Sequence, residues 1–293
     1  MGWRTVVISS RSKLSLKANM LVIREGDKTL RLFLEELSAL IIENTGVALT
    51  AALLETLWQR NVVVIFCDCK HNPGAQLIPF YGMGENSQRI RIQLNWNPIT
   101  ADAVWVAIVK EKILKQAQLL RIFKHPEYEH LLELREDVIA HDSHNREGNA
   151  ARIYFQSIFG SEFLRSERCV YNGALDYGYA ILLSAFNREI AAAGYLTQIG
   201  IHHCNGVNQF NLACDFMEPF RPLVDRLVAT ILFSDPETIT PDEKHQIVRV
   251  LDKEVKINGQ HSRVIDAISI YTHSVFNALE HDNPALIKFY EYE

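Results

Sequence analysis

The sequence predicts an α+β chain: a small N-terminal β-strand-rich domain followed by a larger all-α C-terminal domain. Three observations carry this. Short apolar runs separated by turn residues fill the first 85 residues. Turn-forming breaks follow at Gly82-Met83-Gly84 and Asn95-Trp96-Asn97-Pro98. From Asp102 onward, apolar residues recur with helical spacing. The expected divisions are 1–85 for the β-domain, 86–100 for a linker and 101–293 for the helical domain. A chain of 293 residues suits one large or two smaller domains, and its 48% hydrophobic content can fill a sizeable core.

Thr5-Val6-Val7-Ile8 is a short apolar strand, and Lys13 to Lys17 alternates with period two. Met20 to Ile23 and Leu30 to Leu34 flank Glu25-Gly26-Asp27-Lys28, a hairpin turn. Apolar and aromatic side chains in Met20–Phe33 suit an edge for dimer pairing, since a long exposed strand edge is a liability. Ala39 to Ile42 is another strand. Thr50 to Arg60 carries leucines at helical spacing, and Val62 to Phe66 is a buried strand. His71 to Gly74 reads as a turn and Leu77 to Tyr81 as one more strand. A short helix is expected at 87–94, and a long one from Asp102 to Phe123. Further helices are expected at 126–139, 146–159, 172–193, 211–218, 221–233, 240–251 and 262–279. A hairpin is expected around Asn258-Gly259. The tail from Phe289 to Glu293 is expected to be loose.

No apolar run reaches the roughly eighteen residues that a membrane helix needs, and Met1 to Thr5 lacks a signal-peptide pattern. Cys67 and Cys69 lie in an apolar, strand-like run and the other three cysteines are scattered, which suits reduced thiols. A cytoplasmic protein is therefore expected. Net charge is −5, which does not advertise a nucleic-acid binder. Residues 1–100 carry 11 basic and 8 acidic side chains, and residues 101–293 carry 19 and 27. No lysine lies between Lys124 and Lys244, so the basic residues there are all arginine. Arginine suits bidentate phosphate contacts and buried ion pairs alike.

Two stretches gather chemistry. His202 to Pro222 holds an imidazole pair, then Asp215 and Glu218 at i and i+3, then Arg221. The two acids would share a helix face, and Pro219 and Pro222 require a helix end, kink or restart. His141 to Phe155 begins with the cap residues Asp142, Ser143 and Asn145 and runs into a helix. Glu147 falls in its first turn, where the helix dipole favours a carboxylate. Gly148 there costs roughly 1 kcal/mol against alanine, which suggests a close approach to the backbone. The competing reading is structural: a dipole partner, a packed histidine and arginine ion pairs. Glu147, His203 and Glu218, with Asp215 beside them, suit Mg²⁺ or Mn²⁺ better than a soft metal. Zinc through His202, His203, Cys204 and Cys214 lacks the C-x-x-C or H-x3-5-H spacing.

At these residues the sequence resembles the CRISPR-associated endonuclease/integrase of the spacer-adaptation module, the first Cas protein, in its type II branch. The pattern Asn145-x-Glu147-Gly148-x-Ala150-Ala151-Arg152-x-Tyr154-Phe155, then Phe159-Gly160 and Phe163-x-Arg165, resembles the family's first motif. Gly200-Ile201-His202-His203 and Phe210-Asn211-Leu212-Ala213-x-Asp215-x-Met217-Glu218-Pro219-Phe220-Arg221-Pro222 resemble its second and third. The resemblance implies a metal-dependent DNA endonuclease and integrase that inserts captured foreign DNA into a CRISPR array. It implies catalytic metal ligands at Glu147, His203 and Glu218, with Asp215 and His202 as further candidates. Double-stranded DNA, both captured DNA and CRISPR repeat, would be gripped by Arg146, Arg152, Arg165, Arg168 and Arg221, with Asn145 as a polar helper. Lys13, Lys17, Arg89 and Arg91 would add phosphate contacts. Asp235, Glu237, Asp242 and Glu243 would lie away from DNA. The resemblance also implies a homodimer and a heterohexamer with a small ferredoxin-like partner. Other type II CRISPR proteins are further candidate partners. Two competing functions are a non-catalytic DNA-binding scaffold and a metallohydrolase acting on a small molecule.

Overall fold

The computed structural model describes residues 2–80, 86–232 and 238–292. The expected break at Gly82-Met83-Gly84 lies outside the described residues, as do Asp235 and Glu237. The first part holds β1 (Arg4–Ile8), β2 (Lys13–Lys17), β3 (Met20–Glu25), β4 (Lys28–Phe33), β5 (Leu37–Ile42) and β6 (Ala48–Leu49). Then come α1 (Ala51–Gln59), β7 (Val63–Cys67) and β8 (Pro73–Gln76). They form two sheets, β1-β5-β7-β8 and β4-β3-β2-β6.

Strand β5 is buried along its whole length and runs parallel to both neighbours, as a strand apolar on both faces should. Its two faces serve different cores. Leu40 and Ile42 pack with Leu14, Leu21, Leu53 and Leu57. Ala39 and Ile41 belong to the large core that the helices build. The β3–β4 hairpin turns at Gly26, which sits at φ +54. Strand β4 is the outer strand of its sheet and leaves Leu30 and Phe33 exposed.

One early strand differs from expectation. The Asp68 carboxylate accepts from the backbone of Lys70 and Asn72, at 2.8 and 2.9 Å. His71 adopts φ +61. The turn therefore closes at Asn72, and the strand starts at Pro73 rather than Leu77.

The helical part contains α2 (Asn86–Leu94), α3 (Pro98–Ile122), α4 (Tyr128–Glu136), α5 (Arg146–Phe159) and α6 (Val170–Ala192). It continues with α7 (Asn211–Met217), α8 (Arg221–Ile231) and α9 (Pro241–Val248). A small sheet follows, from β9 (Glu254–Ile257) and β10 (Gln260–Arg263), before α10 (Val264–Glu280) and β11 (Tyr290–Glu291). Helix α3 begins at Pro98, four residues before the expected start, because Asn97 caps it by accepting from Ile99 N at 3.0 Å. Among the described residues, no helix is long and apolar enough to cross a membrane. The β9–β10 hairpin turns at Asn258-Gly259, both at positive φ.

The tail is not loose. Strand β11 pairs with β9, and Tyr290 is fully buried. Its ring lies 4.9 Å from that of Phe220, and its hydroxyl donates to Pro219 O at 3.1 Å. An apolar slot beside the α7–α8 junction captures this aromatic residue, which a terminal position in the sequence does not reveal.

Candidate active site

Helix α7 ends in a 3-10 turn, Glu218–Phe220, and the chain restarts at once as α8. Pro219 and Pro222 each stand at the start of a helical segment, where a missing N–H breaks no bond. This sharp junction buries Glu218 and leads into Arg221.

Asp215, fully buried on α7, organises the loop before it. Its Oδ2 accepts from the backbone of Ile201 at 2.7 Å and of His202 at 3.1 Å. Its Oδ1 accepts from His203 N at 3.0 Å and lies 2.6 Å from His203 Nδ1. A buried carboxylate in that position favours a proton on Nδ1 and orients the ring. The bond to Asp215 raises the His203 pKa above its usual 6.5, against the opposing pull of burial. Gly200 is required here, since a Cβ would come within 2.5 Å of both Asp215 Oδ2 and His203 O. Asn211 ties down the rest of the loop by donating to Gln198 O and Asn205 O, each at 3.0 Å.

Glu147 comes from α5. Of the expected cap residues, Asp142 does the capping: it accepts from Arg146 N at 2.8 Å and Glu147 N at 2.9 Å. Asn145 sits at φ +53, and its side chain lies across the first turn. A Cβ on Gly148 would meet Asn145 Oδ1 at 2.5 Å. The close approach inferred for Gly148 is thus made by the chain's own carboxamide.

Between the two carboxylates stands Lys112 of α3. Its Nζ is 2.6 Å from Glu147 Oε1 and 2.5 Å from Glu218 Oε2. Sequence reasoning missed it. The available signal was a lysine on the apolar stripe that Trp105, Ile108 and Val109 define on α3. Arg221 closes the cluster, with Nε 2.9 Å from Glu218 Oε1. Burial would raise the Glu218 pKa, but Arg221, Lys112 and His203 outweigh it and hold the group at about 2. Burial likewise pulls Lys112 down, and Glu218 and Glu147 more than restore its charge.

A cavity of about 200 Å³ adjoins Glu218. Lys112, Gln116, Arg165, Tyr179, Arg221 and Asp225 are among its walls. The Arg221 guanidinium lies 4.6 Å over the Tyr179 ring. Beneath it, Asp225 is buried and accepts from the hydroxyls of Tyr154, at 2.8 Å, and Tyr179. Burial lifts its pKa to about 6 despite those two bonds. On the other flank, the His202 ring stacks flat on Trp105 with centroids 4.1 Å apart.

The fold therefore brings Glu147, Glu218, His203, Asp215, Arg165 and Arg221 around one centre. Asp215 holds the loop through both oxygens, and the His202 ring stacks on Trp105. Arg146 pairs with Asp137 at 3.3 Å, and Arg152 reaches Gln156 at 3.4 Å. Arg165 is held by Asn172 and, at 2.7 Å, by Asp176. Arg168 is exposed after α5. Arg89 is engaged by Tyr195 and Glu280, whereas Lys13, Lys17 and Arg91 are exposed. Asp242 and Glu243 lie in the first turn of α9, where Glu243 completes a capping box with Thr240.

Among the described residues, no three His, Cys, Asp or Glu side chains close on one point as they stand, since an ammonium separates the two carboxylates. The donor set nevertheless fits a hard divalent cation. The space between Glu147 and Glu218 already receives positive charge. Glu218 is buried, and its Oε2 meets the Lys112 ammonium at 2.5 Å. Glu147, Glu218 and His203 Nε2 could hold such an ion.

The family model for CRISPR associated protein Cas1 matches residues 5–243. The chain is 33% identical over 271 residues to the CRISPR-associated endonuclease Cas1 of Neisseria meningitidis serogroup C (strain 8013), covering 92% of this chain and 89% of that protein. A casposase bound to integration product superposes with TM-score 0.77 at 19% identity, covering 97% of this chain and 92% of the casposase chain. A Cas6-RT-Cas1–Cas2 complex superposes with TM-score 0.72 at 20% identity, over 96% of this chain. This chain spans 35% of that longer one. At these identities the structural likeness is one of fold.

Proposed function

This chain belongs to the Cas1 family of CRISPR-associated proteins, and from that premise we propose that it is a metal-dependent DNA integrase and endonuclease that inserts captured DNA into a CRISPR array. The observation that carries the reading is the charge arrangement at Lys112. Two acids from separate helices converge on one cation-filled point, with the oriented imidazole of His203 beside them.

The reaction we assign is transesterification. The 3′-hydroxyl oxygen of the captured strand gives up its proton to solvent and forms a bond to a repeat phosphorus, while the bond from that phosphorus to the repeat's own 3′ oxygen breaks and the leaving oxygen takes up a proton from solvent. Glu147, Glu218 and His203 would hold Mg²⁺ or Mn²⁺. When bound, that ion supplies Lewis acidity at the phosphoryl oxygens. Asp215 would fix the imidazole of His203 through Nδ1. Arg165 and Arg221, on the wall of the adjoining cavity, neutralise backbone phosphates. Arg152 and Arg168 extend this track on the surface, and Arg146 and Asn145 border it at the α5 N-terminus. In this reading the protein works as a homodimer with a small ferredoxin-like partner, as the naming of a Cas1–Cas2 assembly among its fold relatives suggests. The edge strand β4, with Leu30 and Phe33 exposed, is the candidate dimer surface.

The test is strand transfer of a short duplex with free 3′-hydroxyls into a supercoiled repeat-bearing plasmid, with the small partner present. Joining in Mn²⁺ is expected, with none in EDTA and none by Glu147→Ala. DNA binding without joining in any metal, with the partner active beside a known integrase, would favour the scaffold reading.

A further inference from the structure

Lys112 is 8% exposed and lies between two acids. A buried ion triad is generally no more stabilising than apolar side chains of the same volume, so stability does not account for it. One helical turn along α3, Gln116 is 1% exposed and its Oε1 is buried without a donor. Residues at i and i+4 of a helix are neighbours, and Lys112 and Gln116 line the same cavity. The structure thus holds a lysine ammonium at the carboxylates and, within its reach, an acceptor with nothing to accept.

We propose that Lys112 is a displaceable internal cation: it holds Glu147 and Glu218 together before metal binding, and a divalent ion entering between them drives its ammonium to Gln116 Oε1. The ammonium remains charged throughout. In its second position it adds a positive charge to the wall that already carries Arg165 and Arg221, on the side where a DNA phosphate would enter. This inference rests on the metal-dependent reading above. It assigns Lys112 a positioning role, coupling metal occupancy to the charge of the DNA-facing cavity.

The test is Mn²⁺ titration of the full-length protein without DNA, following free Mn²⁺ by electron paramagnetic resonance. Wild type, Lys112→Met and Gln116→Leu are compared. Removing the competing ammonium should tighten Mn²⁺ binding on the order of tenfold, the scale of one lost close charge pair. Removing the landing acceptor should weaken it. Metal-free Lys112→Met should melt below wild type and gain more than wild type from Mn²⁺. Unchanged or weaker Mn²⁺ binding by Lys112→Met, or no Mn²⁺ binding by any form, would overturn the proposal. Should Lys112→Met not fold, Gln116→Leu decides, since it leaves both carboxylates and the lysine in place. An unchanged affinity there contradicts the displacement. Strand transfer by wild type is scored separately. Tighter binding by Lys112→Met with no joining by wild type would sink the integrase reading alone. Joining by wild type with unaltered affinities would sink the displacement alone.

Discussion

The Asp215 carboxylate holds the His203 ring at 2.6 Å through Nδ1 while accepting three backbone N–H groups of the same loop. One buried acid therefore sets both the path of residues 200–203 and the tautomer of the imidazole. Asp215→Asn keeps the volume but presents an amide to at least one of those donors. We expect a roughly 10- to 100-fold loss of Mn²⁺ affinity, as for other partners that orient a metal-binding histidine. Titration calorimetry of Asp215→Asn beside wild type checks it.

Gly200→Ala tests the same loop by geometry alone. The added methyl would lie 2.5 Å from Asp215 Oδ2 and 2.5 Å from the backbone oxygen of His203. Neither atom is the free end of a flexible side chain. A destabilisation of about 1–3 kcal/mol is expected, the usual scale for overpacking. Chemical denaturation reads it, and Gly206→Ala, where nothing lies within 4 Å, serves as the matched control.

Asp225 gives the chain a pH dependence of defined sign. Its pKa stands at about 6 in the fold against 3.8 for the free side chain. A raised value means stability fully present below 3.8 and lost as pH rises through 6. The loss amounts to about 3 kcal/mol for a shift of this size. Relative to Asp225→Asn, wild type should therefore lose stability between those two pH values and stay flat above them. Denaturant unfolding of both forms across that window measures it.

The arginines divide by what holds them. Arg165 is bound by Asn172 and Asp176, whereas Arg168 is exposed. Arg168→Ala should leave thermal stability unchanged. It should lower the slope of log DNA affinity against log salt by about 0.9, one phosphate contact's worth. Arg165→Ala should lower both stability and slope. Binding isotherms at several salt concentrations, with melting curves beside them, separate the two.

Much of this architecture was legible in the sequence because each element carried its own signal. The β3–β4 and β9–β10 turns announced themselves through Gly26 and Asn258-Gly259, and α5 through its cap residues and apolar spacing. The helix expected at 211–218 is present as α7, Asn211–Met217. What stayed hidden depended on contacts distant in sequence. Lys112 is an unremarkable lysine in a long helix until α5 and the α7–α8 junction bring an acid to each side of it. The tail read as loose because nothing local shows that Tyr290 fits a slot beside Phe220. The strand expected at Leu77 moved to Pro73 because a single side chain, Asp68, closes the turn early. Strand positions yield to this kind of tertiary and side-chain control more readily than strongly periodic helices do.

The most direct test of the account replaces Glu218, the acid that meets Lys112, Arg221 and the cavity at once. Plasmid strand transfer by Glu218→Ala, with folding verified by circular dichroism and DNA affinity measured alongside, is the measurement. A folded protein that binds DNA and forms no covalent joint at any Mn²⁺ concentration is expected. Joining at the wild-type rate by that variant would contradict it and place the chemistry elsewhere in the chain.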